Sequence, residues 1–223
     1  MTAHFPNSSD VIKGIVDYTP QKSVYRSVGK RVFDIFFVLA ASVVVVPVIL
    51  ILALLIMADG GSPFFIQRRV GRDGKIFHMV KLRSMVMNAD RKLAAYLAEN
   101  EDAREEWNHC QKLKKDPRIT FFGRLIRKTS LDELPQFWNV LMGDMSVVGP
   151  RPMLPSQRDL YPGQAYYALK PGVTGFWQVG DRNNTSFAAR ARYDAEYYSL
   201  VSLKTDISVV LKTIRVVVRG TGH

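Results

Sequence analysis

The longest departure from mixed polarity runs from Ile35 to Met57, twenty-three residues without one charged side chain. At 1.5 Å per residue, a helix of that length covers a hydrocarbon core of roughly 30 Å. The run starts too far from Met1 for a signal peptide, is too long, and lacks an Ala-x-Ala cleavage pattern. So long and uniformly apolar a run also fits poorly as the core helix of a soluble protein. Both its flanks are basic, with Lys22, Arg26, Lys30 and Arg31 before it and Arg68, Arg69, Arg72 and Lys75 after it. Positive flanks favour the cytoplasmic side, and a single crossing would send one of them outside. Pro47 stands near the middle, where it removes a helical hydrogen bond. A helix that enters, breaks at Val46-Pro47 and returns keeps both flanks together. A kinked transmembrane helix is the alternative, since membrane helices tolerate proline. These residues alone do not choose between the two. Asp34, at the membrane edge, is spaced to pair with Lys30 or Arg31.

Outside that run the pattern changes several times. Residues 1–24 are polar and aperiodic and read as a flexible tail. Asp59-Gly60-Gly61-Ser62-Pro63 is a breaker cluster that closes the membrane element, 25–58, and opens a domain at 59–223. Phe64–Gln67 and Lys75–Lys81 read as two short strands around the turn Gly71-Arg72-Asp73-Gly74. Residues 85–112 predict one long polar helix with a partial stripe of Leu93, Leu97 and Trp107. A further helix is expected near 133–142 and another over 187–203, while the Gly- and Pro-rich 143–180 reads as loop and turn. From Asp206 to Arg219, Ile207, Val210, Leu211, Ile214, Val217 and Val218 share one helical stripe, with Lys212, Arg215 and Arg219 on another face. That is the pattern of a helix lying in a membrane interface (206–219). A core helix, or a strand at Val216–Val218, is the alternative. The class is α+β: a mostly helical small domain with one β-hairpin.

Composition narrows the partners. Lys and Arg total 31 against 20 Asp and Glu, a formal charge of +11. Such an excess seeks nucleic acid, anionic lipid headgroups or phosphorylated substrates. The basic residues are spread along the chain, with no helix-turn-helix, zinc-finger or RNP-type motif, so no nucleic acid partner is expected. The single cysteine, Cys110, forbids a disulfide within the chain.

Candidate chemistry gathers at Arg127-Lys128-Thr129-Ser130-Leu131-Asp132-Glu133-Leu134-Pro135-Gln136. Two local registers compete there. Ser130 and Glu133 have capping-box spacing. Pro135 prefers the first helical position, which leaves both carboxylates in the preceding loop. Beyond the helix, Gly149-Pro150-Arg151-Pro152 presents an arginine on a stiff backbone, suited to bidentate phosphate binding. Lys81-Leu82-Arg83 adds cations at a strand end.

Five motifs occur in one order: Phe77–Met85, Asp116-Pro117-Arg118-Ile119-Thr120, Ser130–Asn139, Gly143–Pro152 and Lys170–Val179. Together they make residues 25–223 resemble the bacterial sugar transferases, the polyprenyl-phosphate hexose-1-phosphate transferases also called monotopic phosphoglycosyl transferases. The resemblance implies a re-entrant N-terminal membrane helix, broken at Pro47, on the cytoplasmic face of the bacterial inner membrane. It implies a UDP-sugar donor, undecaprenyl phosphate as acceptor, contact with membrane lipids, and Mg²⁺. It implies a catalytic dyad falling on Asp132 and Glu133, with Asp132 the residue that becomes phosphorylated by the sugar-phosphate and a ligand of the metal. The family's phosphate-binding basic positions fall on Lys81, Arg127 and Arg151. The chain resembles the short form of the family, and residues 95–112 are extra relative to its shortest members. Galactose or glucose is favoured over an N-acetylhexosamine, the polysaccharide pathway is open, and the oligomeric state is open to a homo-oligomer. A non-catalytic membrane scaffold of polysaccharide assembly is the alternative function.

Overall fold

The computed structural model describes residues 23–58, 60–110, 113–180 and 186–218. The expectations for the tail before Ser23, for Lys22, Asp59 and Arg219 fall outside the described residues. A π-helical turn, Tyr25–Gly29, leads into α1, Lys30–Met57, a helix of 28 residues. It is long and apolar enough to cross a membrane. Its middle is bare, with Val43 76% exposed, so it is not a covered core helix. α1 is helical through Pro47, so the expected break at Val46-Pro47 is not an interruption of the helix. Proline lacks only one N–H, and a long apolar helix absorbs that loss along its exposed middle.

The two ends of α1 are not bare. Val38 sits in the main core with Phe77, Met79, Val140, Met145, Val147, Val148, Tyr197 and Val209. Ile56 sits in a second cluster with Leu82 and Ile126. Polar contacts reinforce the first end. The Asp34 carboxylate accepts from Ser146 Oγ at 2.9 Å and from the Val147 N–H at 2.9 Å. Asp206 accepts from Tyr25 Oη at 2.6 Å, Lys30 Nζ at 2.8 Å and Tyr197 Oη at 2.8 Å. The expected partner of Asp34, Lys30, is therefore spent on Asp206, and Arg31 donates to the Val140 and Leu141 carbonyls at 2.5 and 2.7 Å. At the second end, Arg83 donates to the carbonyls of Ser62, at 2.7 Å, and Ile56, at 3.2 Å.

The hairpin β1 (Phe64–Val70) and β2 (Ile76–Leu82) is antiparallel, pairing Phe64 with Leu82 through Val70 with Ile76. β1 runs three residues beyond the expected Gln67, and β2 keeps the expected length, shifted by one residue. The expected single helix over 85–112 is two, α2 (Ala89–Glu99) and α3 (Glu101–Cys110), because Asn100 is extended between them. No residue of α2 is buried, and Arg118 stacks 5.2 Å from the Trp107 ring of α3. Helix α4, Phe121–Lys128, is capped by Thr120, whose Oγ1 accepts from the Gly123 N–H at 2.9 Å.

Helix α5 spans Gln136–Met142 and ends at Gly143, where φ is +90°, a conformation that glycine adopts without a Cβ clash. The region 143–180, expected as loop, contains β3 (Ser146–Val148) and β4 (Gly172–Thr174), paired parallel, and the short helices α6 (Ala165–Ala168) and α7 (Phe176–Val179). Helices α8 (Arg190–Leu200) and α9 (Leu203–Val218) close the domain. On α9, Val209 is buried, whereas Ile207, Leu211 and Ile214 stay 44%, 56% and 54% exposed. The helical reading of 206–219 therefore holds over the described residues, and the strand alternative at Val216–Val218 fails.

Candidate active site

Pro135 decides the register at the carboxylates. It stands as the cap of α5, and Leu131–Glu133 form a separate 3₁₀ turn before it. Ser130 makes no side-chain cap and instead takes φ +58°, a left-handed conformation unusual for a residue with a Cβ. The capping-box register is thus not the one adopted. Both acids lie ahead of the helix rather than on its first turn, Asp132 buried and Glu133 half-buried.

Lys81 reaches them from β2. Its Nζ donates to Glu133 Oε1 at 2.8 Å and lies 3.8 Å from Asp132 Oδ2. Asn139 of α5 holds that strand in place: its Oδ1 accepts from the Val80 N–H at 3.0 Å, and its Nδ2 donates to the His78 carbonyl at 2.8 Å. One amide side chain thereby satisfies the outer edge of β2 beside Lys81. Arg151 reaches the same Glu133 oxygen at 3.3 Å. Its loop is fixed by close backbone approach. A Cβ on Gly149 would stand 2.3 Å from the Lys170 carbonyl oxygen, and one on Gly172 would stand 2.1 Å from the Gly149 nitrogen. Only glycines let the Pro-Arg-Pro loop lie this close to β4.

The structure therefore brings Lys81, Arg151, Asp132 and Glu133 together. Arg127, on the last turn of α4, acts on Asp132 through its charge and forms no ion pair among the described residues. Pro47 lies within α1. Two contributors, Arg69 and Arg190, have no sequence motif of their own, and Gln136 joins them from the carboxylate motif. Arg69 and Gln136 line a small pocket with Lys81, Glu133, Arg151 and Pro152. Arg190 stacks 4.2 Å from the ring of Trp177, and Arg151 stands 5.7 Å from the same ring. Strand alternation separates Arg69 from the exposed Arg68, a signal that is clear only once the strand reaches Val70.

The two acids are electrically different. Burial pushes Glu133 up, but the charges of Lys81 and Arg151 and their hydrogen bonds outweigh it and hold its carboxyl down near pKa 2. Asp132 is pushed above the ordinary carboxylate value, chiefly by burial and then by the Glu133 charge, against the pull of Lys81, Arg127 and Arg151. Glu133 is the fixed anion, and Asp132 is the more basic, less tightly held carboxylate.

Among the described residues there is no cluster of three His, Cys, Asp or Glu side chains, so no cage made by protein alone exists for a metal. Glu133 lines a small pocket with Lys81 and Arg151, and Asp132 adjoins it in sequence; two carboxylates so placed fit Mg²⁺, which is bound through one or two carboxylates plus substrate phosphates.

The family model for bacterial sugar transferases matches residues 25–220. The chain is 46% identical over 195 residues to the UDP-galactose-lipid carrier transferase of Erwinia amylovora, covering 86% of this chain and 41% of that protein. It is equally similar, 46% over 195 residues, to the undecaprenyl-phosphate galactose phosphotransferase of Salmonella typhimurium, of which it again covers 41%. It is 44% identical over 202 residues to the exopolysaccharide production protein ExoY of Rhizobium meliloti, covering 87% of this chain and 88% of that one. The chain thus spans less than half the length of the first two relatives and most of the third. It belongs to the bacterial sugar transferase family.

Proposed function

We propose that the chain transfers a hexose-1-phosphate from a UDP-sugar to undecaprenyl phosphate through a phosphosugar intermediate on Asp132. The observation that carries this reading is the unequal pair: Lys81 and Arg151 both grip Glu133, leaving Asp132 beside them as the more basic carboxylate. An Asp132 oxygen attacks the β-phosphorus, the bond from that phosphorus to the bridging oxygen breaks, and uridine monophosphate leaves with the electron pair. An oxygen of the lipid phosphate then attacks the same phosphorus, the aspartyl–phosphorus bond breaks, and the lipid diphosphate sugar forms. Lys81 and Arg151 face the charge that builds on the transferred phosphoryl oxygens. Glu133 holds those two cations in place. Asp132 and Glu133 would hold Mg²⁺, which supplies charge neutralisation on the diphosphate.

Galactose is the favoured sugar, supported by the names of the first two relatives, with glucose next. A cytoplasmic-face location with a re-entrant α1 is supported by the attachment of both its ends to one domain. Exposed apolar side chains on α4 (Phe121, Phe122, Leu125), α5 (Trp138, Met142) and α9 support contact with the lipid interface. Intact-protein mass spectrometry after mixing with UDP-galactose and UDP-glucose tests the intermediate. A sugar-phosphate adduct is expected on the native chain and not on Asp132→Asn; an adduct that survives on that variant removes Asp132 from the role.

A further inference from the structure

A diphosphate donor carries two phosphates, and the residues assigned so far attend to one. In-line displacement puts the leaving oxygen opposite the nucleophile. Arg151 links the carboxylate turn to a second basic region. Its guanidinium reaches Glu133 at 3.3 Å and stands 5.7 Å from the Trp177 ring, where Arg190 stacks at 4.2 Å. Arg190 is also 4.7 Å from the Phe187 ring. Arg69 lines the same pocket as Lys81 and Arg151. It donates to the Pro152 carbonyl at 3.1 Å and to Gln67 Oε1 at 2.6 Å.

Neither Arg69 nor Arg190 forms an ion pair among the described residues, and the Nε of each is buried without a hydrogen-bond partner. Asp194, one turn along α8 from Arg190, is the acid that acts on it, but its carboxylate accepts from Tyr161 Oη at 2.7 Å. Burial, and next the charge of Arg151, lower both guanidinium groups to about 10. Three guanidinium groups thus repel one another with too little negative charge to balance them. An ordinary structural arginine has a carboxylate or a full set of carbonyls; these two keep a donor in reserve.

We propose that Arg69 and Arg190, joined by Arg151, form a second phosphate site that holds the phosphate remaining on the departing nucleoside monophosphate. This rests on the transfer reading above. The arginines stabilise the charge that develops on the leaving oxygen, while Lys81 and Glu133 stay with the transferred phosphoryl group. A phosphate monoester could also come from the lipid acceptor, so the test uses both probes.

Equilibrium binding of uridine monophosphate and of farnesyl phosphate is measured on the full-length protein in detergent, for the native chain, Arg69→Gln and Arg190→Gln. Each variant loses about tenfold or more in uridine monophosphate affinity, the scale of a charged bidentate contact, and keeps its farnesyl phosphate affinity. Arg69→Lys and Arg190→Lys retain the charge without the fork and give intermediate losses, which covers the case in which a glutamine variant fails to fold. Unchanged uridine monophosphate affinity in both positions overturns the proposal, as does a loss confined to farnesyl phosphate. A native chain that forms no adduct with any UDP-sugar sinks the transfer reading instead, which separates the two failures.

Discussion

Replacing Asp206 by asparagine is the perturbation with the clearest structural arithmetic. Asp206 is fully buried, and its two oxygens receive Tyr25, Lys30 and Tyr197. Asparagine has the same shape but one acceptor oxygen in place of two and no charge. Its amide N–H₂ would confront a lysine ammonium or a tyrosine hydroxyl. Lys30 is only 14% exposed along its side chain, so its charge is left poorly solvated. Removing one partner of a buried pair costs about 3–5 kcal/mol. A chain of 150–250 residues loses about 2–4 °C per kcal/mol, which gives a fall in Tm of about 6–20 °C. Thermal unfolding in detergent, followed by near-UV circular dichroism at one scan rate, reads it. Lys30→Met combined with Asp206→Asn removes the stranded charge, so the double variant loses less than the two single losses added, by about 0.5–3 kcal/mol. A Tm drop below about 3 °C in Asp206→Asn, or strict additivity in the double variant, refutes the reasoning that this network clamps the start of α1.

Other consequences follow from single contacts. Asn139→Ala strands the Val80 N–H and the His78 carbonyl; stability falls by about 1–3 kcal/mol and adduct formation slows, read by denaturant unfolding and rapid-quench mass spectrometry. Gly149→Ala forces a Cβ to within 2.3 Å of the Lys170 carbonyl, so the Arg151 loop must move; adduct formation should fall at least about tenfold, checked by the same mass assay. Asp194 is pushed up to about 7, mainly by burial, against the Tyr161 hydrogen bond and the Arg190 charge. The native state therefore holds this proton more tightly than the unfolded chain, whose carboxyl titrates near 4. Stability from this group is fully present below about pH 4 and is lost as pH rises to about 7, by up to about 4 kcal/mol. Asp194→Asn keeps an acceptor for Tyr161 and abolishes that slope; unfolding free energies at pH 5 and pH 8 that decline equally in both proteins would dismiss it.

The sequence pattern carried the features whose signal is local. The uncharged run over Ile35–Met57, the turn at Gly71–Gly74 and the stripe on α9 each follow from spacing along one element. Pro135 placed the carboxylates ahead of α5, although Ser130 offered a competing cap; only the left-handed φ of Ser130 settles which register forms. The strands β3 and β4 were illegible because three residues show no period and their pairing joins Ser146 to Gly172 across the chain. Arg69 and Arg190 were illegible for a related reason: what distinguishes them from the other 29 basic residues is the company of Arg151 and Trp177, which exists only after folding.

Helix α5 ties α1 and the carboxylate turn into one mechanical unit. It has seven residues. Its first turn follows Asp132 and Glu133, its middle holds β2 and hence Lys81 through Asn139, and its last carbonyls accept from Arg31 of α1. A positive side chain suits that helix end, where the dipole is negative. The beginning of α1 is fixed independently through Asp34 to β3, the strand that precedes the Arg151 loop. A displacement of α1 would therefore act on the carboxylate turn and on Arg151 by two separate routes, each only one short element long. Under the proposed transfer, rigid placement of that kind lets a soluble donor and a lipid acceptor meet at the same phosphorus.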